Sequence, residues 1–290
     1  MFRRIFLVLL AVAMALPLTA CVMDFDNAGG IISGVAKEYK EAVELSDKYR
    51  QGQPIELKLD MKMAKAAIDS TEDKLAEVEF MYGNEALKPE FTVEEDSISI
   101  RNRIEKLGLG KPVNKWEVNI TDRLPLEVEL DSDASDVKLD MSRMIIDKLS
   151  AQINASSAKL YFDEPNKGSV DKLRINANAS DVNIYGAGNI GFGVLALDSN
   201  ASKVSVDLTG ENREDAEIRI DANASTVRLK LPEDIGVRIV ADKYELSSIK
   251  IDNDNLLSRS EKEYVTKDYD KAGRTLKIYA DLKLTTLNIE

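Results

Sequence analysis

The chain has no histidine and one cysteine, Cys21, in 290 residues. Without histidine it lacks the commonest general base, the commonest metal-binding nitrogen and every Ser-His-Asp arrangement. A single cysteine excludes an internal disulfide and any cysteine-cluster metal site. Aromatic residues are sparse at 6%, with one tryptophan. Long apolar runs are missing too: the one from Ile5 to Leu16 falls short of the ~20 residues that a helical membrane span needs. Positive charge is in deficit, leaving a formal net charge of −12. Nucleic acid and anionic lipid headgroups should repel such a chain at long range, so no nucleic-acid partner is expected. What the chain does have is 44% apolar residues, enough for a folded core rather than disorder.

Residues 1–20 have the layout of a targeting segment: Arg3 and Arg4, an apolar run, then small residues. Leu18-Thr19-Ala20-Cys21 resembles a bacterial lipoprotein signal, in which the cysteine becomes the lipid-modified first residue of the mature chain. That resemblance implies lipidation of Cys21 and a membrane-anchored protein facing the extracytoplasmic side. Several acyl chains on one residue would hold firmly, since each buried CH₂ contributes about 0.8 kcal/mol. Residues 21–54 then read as the lipidated cysteine and a tether, with Gly29-Gly30 and Gly34 giving flexibility. Within that stretch Lys37 to Leu45 is ambiguous between helix and strand.

Further on the chain repeats itself. Asn178-Ala179-Ser180-Asp181-Val182-Asn183-Ile184 has counterparts centred on Ala134, Ala155, Ala201 and Ala224, spaced by 21, 24, 22 and 23 residues. Such a period marks a stacked-repeat architecture. Apolar residues alternate before each alanine (Leu173, Ile175, Ala177), then resume after a jump of three, at Val182 and Ile184. A one-residue slip in a period-two pattern sends later side chains to the opposite face unless the backbone bends. Each unit therefore reads as strand, tight corner, strand, outer turn, with the alanine tucked inside the corner and the polar residues outside. Leu246-Ser247-Ser248 and Leu284-Thr285-Thr286 are degenerate versions of the same corner, and residues 252–274 interrupt the period. Such an insertion decorates one face or caps an end. The expected fold class is all-β, a stacked β-repeat of solenoid type with rungs of about 22 residues.

Residues 55–125 also alternate, in Leu57, Leu59, Met61 and Met63, in Lys74 to Phe80, in Phe91 to Ile100 and around Trp116. They read as an N-terminal β region preceding a repeat domain at 126–290, with Trp116 as a core plug and 104–113 as a connection. Trp116-Glu117-Val118-Asn119-Ile120, Leu126 to Leu130, Val137 to Met141 and the closing Leu276 to Ile289 resemble the toast-rack family of bacterial envelope proteins. That family is related to cell-wall-antibiotic-response regulators and to adhesin head domains. The resemblance spans roughly 55–290 and implies a β stack. It brings no catalytic residue, and partners among envelope proteins or wall components. In the family the turn usually carries glycines, where this chain has Asn or Asp and Ser.

Other motifs are better explained by structure. Gly186-Ala187-Gly188-Asn189-Ile190-Gly191 spells G-x-G-x-x-G but leads into another strand rather than a helix, so it reads as an outer turn. The Asn-x-Ser sequons at Asn154, Asn178, Asn200 and Asn223 come with the corners. Asp131, Asp133 and Asp136, like Asp252 and Asp254, lack the loop pattern of a calcium site and read as solvated turns. Glu94-Glu95-Asp96 supplies carboxylates for a glycoside hydrolase, but nothing sets a pair across a cleft. The function expected is thus a non-enzymatic, lipid-anchored envelope protein without metal or cofactor. It would act as an interaction or regulatory module, in an envelope stress response by the resemblance, with a surface adhesin or ligand-binding module as the alternative.

Overall fold

The computed structural model describes residues 36–46, 49, 53–104, 113–211 and 214–290, without the side chains of 242–245. Cys21, the targeting segment and most of the 104–113 connection lie outside the described residues. Strands alternate with corners and turns along the chain. They are β1 (Lys37–Glu44), β2 (Ile55–Lys62), β3 (Lys65–Thr71), β4 (Lys74–Tyr82), β5 (Glu90–Val93), β6 (Ser97–Arg101), β7 (Asn114–Thr121) and β8 (Pro125–Asp133). The middle of the chain holds β9 (Asp136–Asp140), β10 (Ile145–Asn154), β11 (Ser157–Tyr161), β12 (Val170–Asn178), β13 (Asp181–Tyr185), β14 (Phe192–Asn200) and β15 (Lys203–Asp207). The last third adds β16 (Ala216–Asn223), β17 (Thr226–Lys230), β18 (Gly236–Glu245), β19 (Ser248–Ile251), β20 (Leu256–Ser260), β21 (Glu263–Thr266), β22 (Thr275–Lys283) and β23 (Thr286–Ile289).

These strands form two sheets. One has 11 strands in the order β1-β4-β7-β3-β9-β11-β13-β15-β17-β23-β19, and the other 12 in the order β20-β21-β18-β22-β16-β14-β12-β10-β8-β2-β6-β5. We call them the short-strand sheet and the long-strand sheet. Each rung contributes one strand to each, and rungs pair in parallel with like residues in register. Val128, Leu149, Leu173, Leu195 and Ile218 form one buried row across the long-strand sheet. Val137, Ala158, Val182, Val204 and Val227 form its counterpart opposite. Alternation at period two is what delivers these rows to one side, and one hydrophobic cluster running from Tyr49 to Ile289 fills the space between the sheets.

The rungs follow chain order only in the middle, from β8–β9 to β16–β17. At one end β22–β23 slots between β16–β17 and β18–β19, so the last rung in sequence is not the last in space. At the other end β2–β3 lies between β8–β9 and the parallel pair β6 and β7. The segment 55–125 is therefore no separate region, because β2–β3 is already a rung and shares both sheets with the repeats. Antiparallel strands finish the stack: β4 and β1 beyond β7, β5 beyond β6, and the β20–β21 hairpin beyond β18. The 252–274 insertion thus caps an end. Part of the 21–54 stretch is likewise structural: β1 is a strand, with Tyr39 stacked on Phe80, so those residues are not tether.

Candidate functional site

The recurring Asn-Ala-Ser phrase is a corner with defined chemistry. Ala134, Ala155, Ala179, Ala201 and Ala224 each take a left-handed backbone, with φ between 48° and 51°. Met63, Leu246 and Leu284 do the same at φ 52°, marking three more corners. The corner alanines are exposed and the following serines are buried, which reverses the expected arrangement. The jump of three runs from Ala177 to Ser180 rather than from Ala179 to Val182, leaving Asn178 and Ala179 both outside. The reason lies in the hydroxyl. Ser180 Oγ accepts from Ser156 N (3.2 Å) and lies 2.8 Å from the Asn178 carbonyl, to which it donates. The same accepting contact runs from Ala64 through Ser135, Ser156, Ser180, Ser202, Ser225 and Thr285 to Ser247. Outside this ladder the amide of Asn154 donates to Asp133, that of Asn178 to Asn154 and that of Asn200 to Asn178. Sequence and solvent position explain the phrase as a structural device.

Other motifs fall where the fold needs them. Trp116 is buried edge-on to Phe80, and its Nε1 donates to Asn114. Gly186 and Gly191 flank a 3-10 turn with positive φ, and a Cβ at Gly186 would stand 2.4 Å from the Phe162 carbonyl oxygen. That close approach, and no phosphate, explains the first glycine. Asp131 and Asp133 lie on β8 while Asp136 lies past the corner on β9. Among the described residues no group of three or more acidic or cysteine side chains is placed to hold a metal ion. Glu94, Glu95 and Asp96 form the turn of the β5–β6 hairpin, closed by Glu94 N donating to Ser97 O.

Two surface depressions occur near the β1 end. One, of about 310 Å³, is lined by Lys40, Glu41, Glu77, Glu79, Glu117 and Asn119. Hydrogen bonds to Glu38 and Glu79 hold the Lys40 ammonium well above its ordinary pKa. The second lies between Tyr39, Lys88 and Phe91. Burial and then the hydrogen bond to Glu41 push the Tyr39 phenol up to about 12. In the first depression Lys40 and Glu79 pair with each other, and in the second Lys88 lies over the Tyr39 ring.

The outer face of the short-strand sheet carries different chemistry. Tyr161 and Tyr185, paired in register on β11 and β13, stack with centroids 4.7 Å apart and planes 12° apart. Lys138 Nζ lies 5.3 Å from the Tyr161 centroid, within cation–π range. Tyr185 is 37% exposed. Lys138 and Lys159 stand directly opposite each other on β9 and β11, both exposed. Neither makes an ion pair among the described residues, while Lys203 pairs with Asp181 (3.9 Å), Arg228 with Glu290 (2.9 Å) and Lys230 with Asp207 (3.0 Å). Burial works to raise the Asp207 carboxyl, but the Thr209 hydroxyl and N–H and the Lys230 ammonium hold it below the usual carboxylate range. Sequence reasoning missed the tyrosine pair. The signal was present, since each tyrosine follows its corner alanine by six positions.

Parallel rungs, buried hydroxyl corners and two facing sheets define an all-β stacked-repeat protein. Residues 32–185 match the family described as the N-terminal domain of toast_rack, DUF2154, and the chain belongs to that family. Solved structures to which the chain shows similarity include a Clostridium sporogenes protein provisionally named for cell adhesion, 18% identical with a TM-score of 0.44. The match covers 88% of this chain and 98% of that one. A Bacteroides fragilis protein provisionally named an adhesin is 11% identical at a TM-score of 0.38, covering 90% of this chain and 100% of its own. A Parabacteroides distasonis protein provisionally named for lipid binding is 12% identical at 0.29, covering 88% and 96%. No curated protein matches the chain.

Proposed function

We propose that this protein is a non-enzymatic contact module, held on the extracytoplasmic side of a bacterial membrane by lipid on Cys21 and adhesin-like in how it works. The observation carrying this reading is the division of labour between inside and outside. Apolar rows occupy the space between the sheets, while aromatic and cationic groups stand on a broad outer face. A flat, ordered face suits an extended partner better than a small substrate, which is bound in a concave site. Wall components and other envelope proteins are partners of that form. The Leu18-Thr19-Ala20-Cys21 signal supports the anchor that would keep the face near them.

Fractionation of cells expressing the wild-type protein and Cys21→Ser tests the anchor: the wild type partitions with membranes and the variant is released. A Cys21→Ser protein that is processed yet stays membrane-bound would refute it. Contact is tested by co-sedimentation of the purified protein with isolated envelope material, where failure to sediment above a non-binding control counts against the module.

A further inference from the structure

Resting on the contact-module reading, we propose that the mid-face of the short-strand sheet binds an acidic polysaccharide, a chain of carboxylated sugar rings. Like charges placed directly opposite on neighbouring strands destabilise a sheet. Lys138 and Lys159 are such a pair, and their outer neighbours in register are Ala67 and Asn183, which are uncharged. The Asn183 amide is itself turned to Asp181. This leaves two adjacent ammonium groups without an ion pair among the described residues, beside a stacked tyrosine pair, while Lys203, Arg228 and Lys230 on the same face are each paired and the chain carries a net charge of −12. An anion from outside completes the arrangement.

The rings beside them supply the second half of the recognition. Lys138 covers one side of the Tyr161–Tyr185 stack. On the other side β15 continues past the paired Ile184 and Val206 to Asp207, a shorter side chain already engaged by Thr209 and Lys230. The exposed part of Tyr185 therefore rises above its neighbour, and a sugar ring can lay its C–H face against it while its carboxylate reaches Lys159. Aromatic face plus paired cations also describes a site for single-stranded nucleic acid. The overall negative charge disfavours so dense a polyanion and favours the more sparsely charged glycan.

Titration calorimetry of the purified full-length protein in detergent, with oligogalacturonate as probe, tests the assignment. Oligogalacturonate should bind and weaken with added salt, while a neutral cello-oligosaccharide, polyglutamate and oligodeoxythymidine should not bind measurably. Tyr185→Ala and Lys159→Gln should each weaken binding by about tenfold, the size of one desolvated ring or cation contact. Lys250→Gln, at the far end of the same sheet, should change nothing, and circular dichroism should show all three variants folded. No binding of oligogalacturonate, or binding indifferent to both substitutions, overturns the proposal. Equal binding of polyglutamate or oligodeoxythymidine overturns it as well, by showing that charge alone, or a nucleic acid, is what the face takes. If Tyr185→Ala and Lys159→Gln still sediment with envelope material like the wild type, the patch is refuted and the contact module stands.

Discussion

Removing one corner hydroxyl tests the physical account of the fold most directly. Ser180 lies in the centre of the in-order rungs and is buried. Its Oγ is the acceptor for Ser156 N and lies within reach of two carbonyls, Asn178 (2.8 Å) and Ile153 (2.9 Å). In Ser180→Ala the Asn178 carbonyl keeps the Ala155 N–H (2.9 Å), whereas the buried Ser156 N–H loses its acceptor. An orphaned buried donor costs roughly 1–3 kcal/mol, so a loss of about 2 kcal/mol is expected. For a protein of this size that lowers Tm by about 4–8 °C. Ser180→Thr is the control, because Thr285 occupies the equivalent corner, accepts from Ser225 N (3.3 Å) and donates to Lys283 O (2.9 Å). Urea unfolding followed by circular dichroism should place the threonine variant within about 1 kcal/mol of the parent and the alanine variant well below it. A Ser180→Ala protein as stable as the parent would refute the hydroxyl ladder as a source of stability.

The remaining predictions concern the corner backbone and the charged edge. Ala179 holds φ 50° with its methyl in solvent, so Ala179→Gly relieves about 1 kcal/mol of left-handed strain, offset in part by the freer unfolded chain. Ala179→Val should instead lower the urea midpoint, and a valine variant as stable as the glycine one would contradict the geometry. Asp131 is held above the usual carboxylate range by burial and then by Asp133 and Asp60, the latter its register partner. A raised carboxyl pKa means that the folded state binds its proton more tightly, so stability falls as pH rises through the unfolded and then the folded value. Asp131→Asn should therefore stabilise slightly at pH 7, by no more than the ~0.2–0.5 kcal/mol that a solvent-screened like-charge contact costs, an advantage that fades below the unfolded pKa. Parallel stability curves for the two proteins from pH 3 to 7, with no convergence at the acid end, would sink that assignment.

Period, strand and corner were legible because alternation and its slip are written in residue type. The side of the slip was not, because serine looks solvent-facing until its hydroxyl is seen to complete the neighbouring rung's backbone. Met63 hid a corner for the opposite reason: an apolar residue at position two after Met61 reads as one more inward step, yet it is 38% exposed and Ala64 turns in. Rung order was beyond reach, since β22–β23 and β18–β19 carry equally plausible patterns for either slot. Register decides between them, and register belongs to three dimensions. The same holds for the candidate site, where Tyr161 and Tyr185 become neighbours only once the rungs align.

The out-of-order rungs at both ends bear on how such a protein can change length. Each terminal rung is gripped on two sides by partners from elsewhere in the chain, so a unit added beside it would have to break an existing pairing. The three rungs from β10–β11 to β14–β15 meet only their sequence neighbours. A gene duplication of one unit there inserts a rung, lengthens both faces by one strand and leaves the closures untouched. The central stretch is thus where this architecture can be extended or trimmed by whole units, and the two ends are where it is held constant.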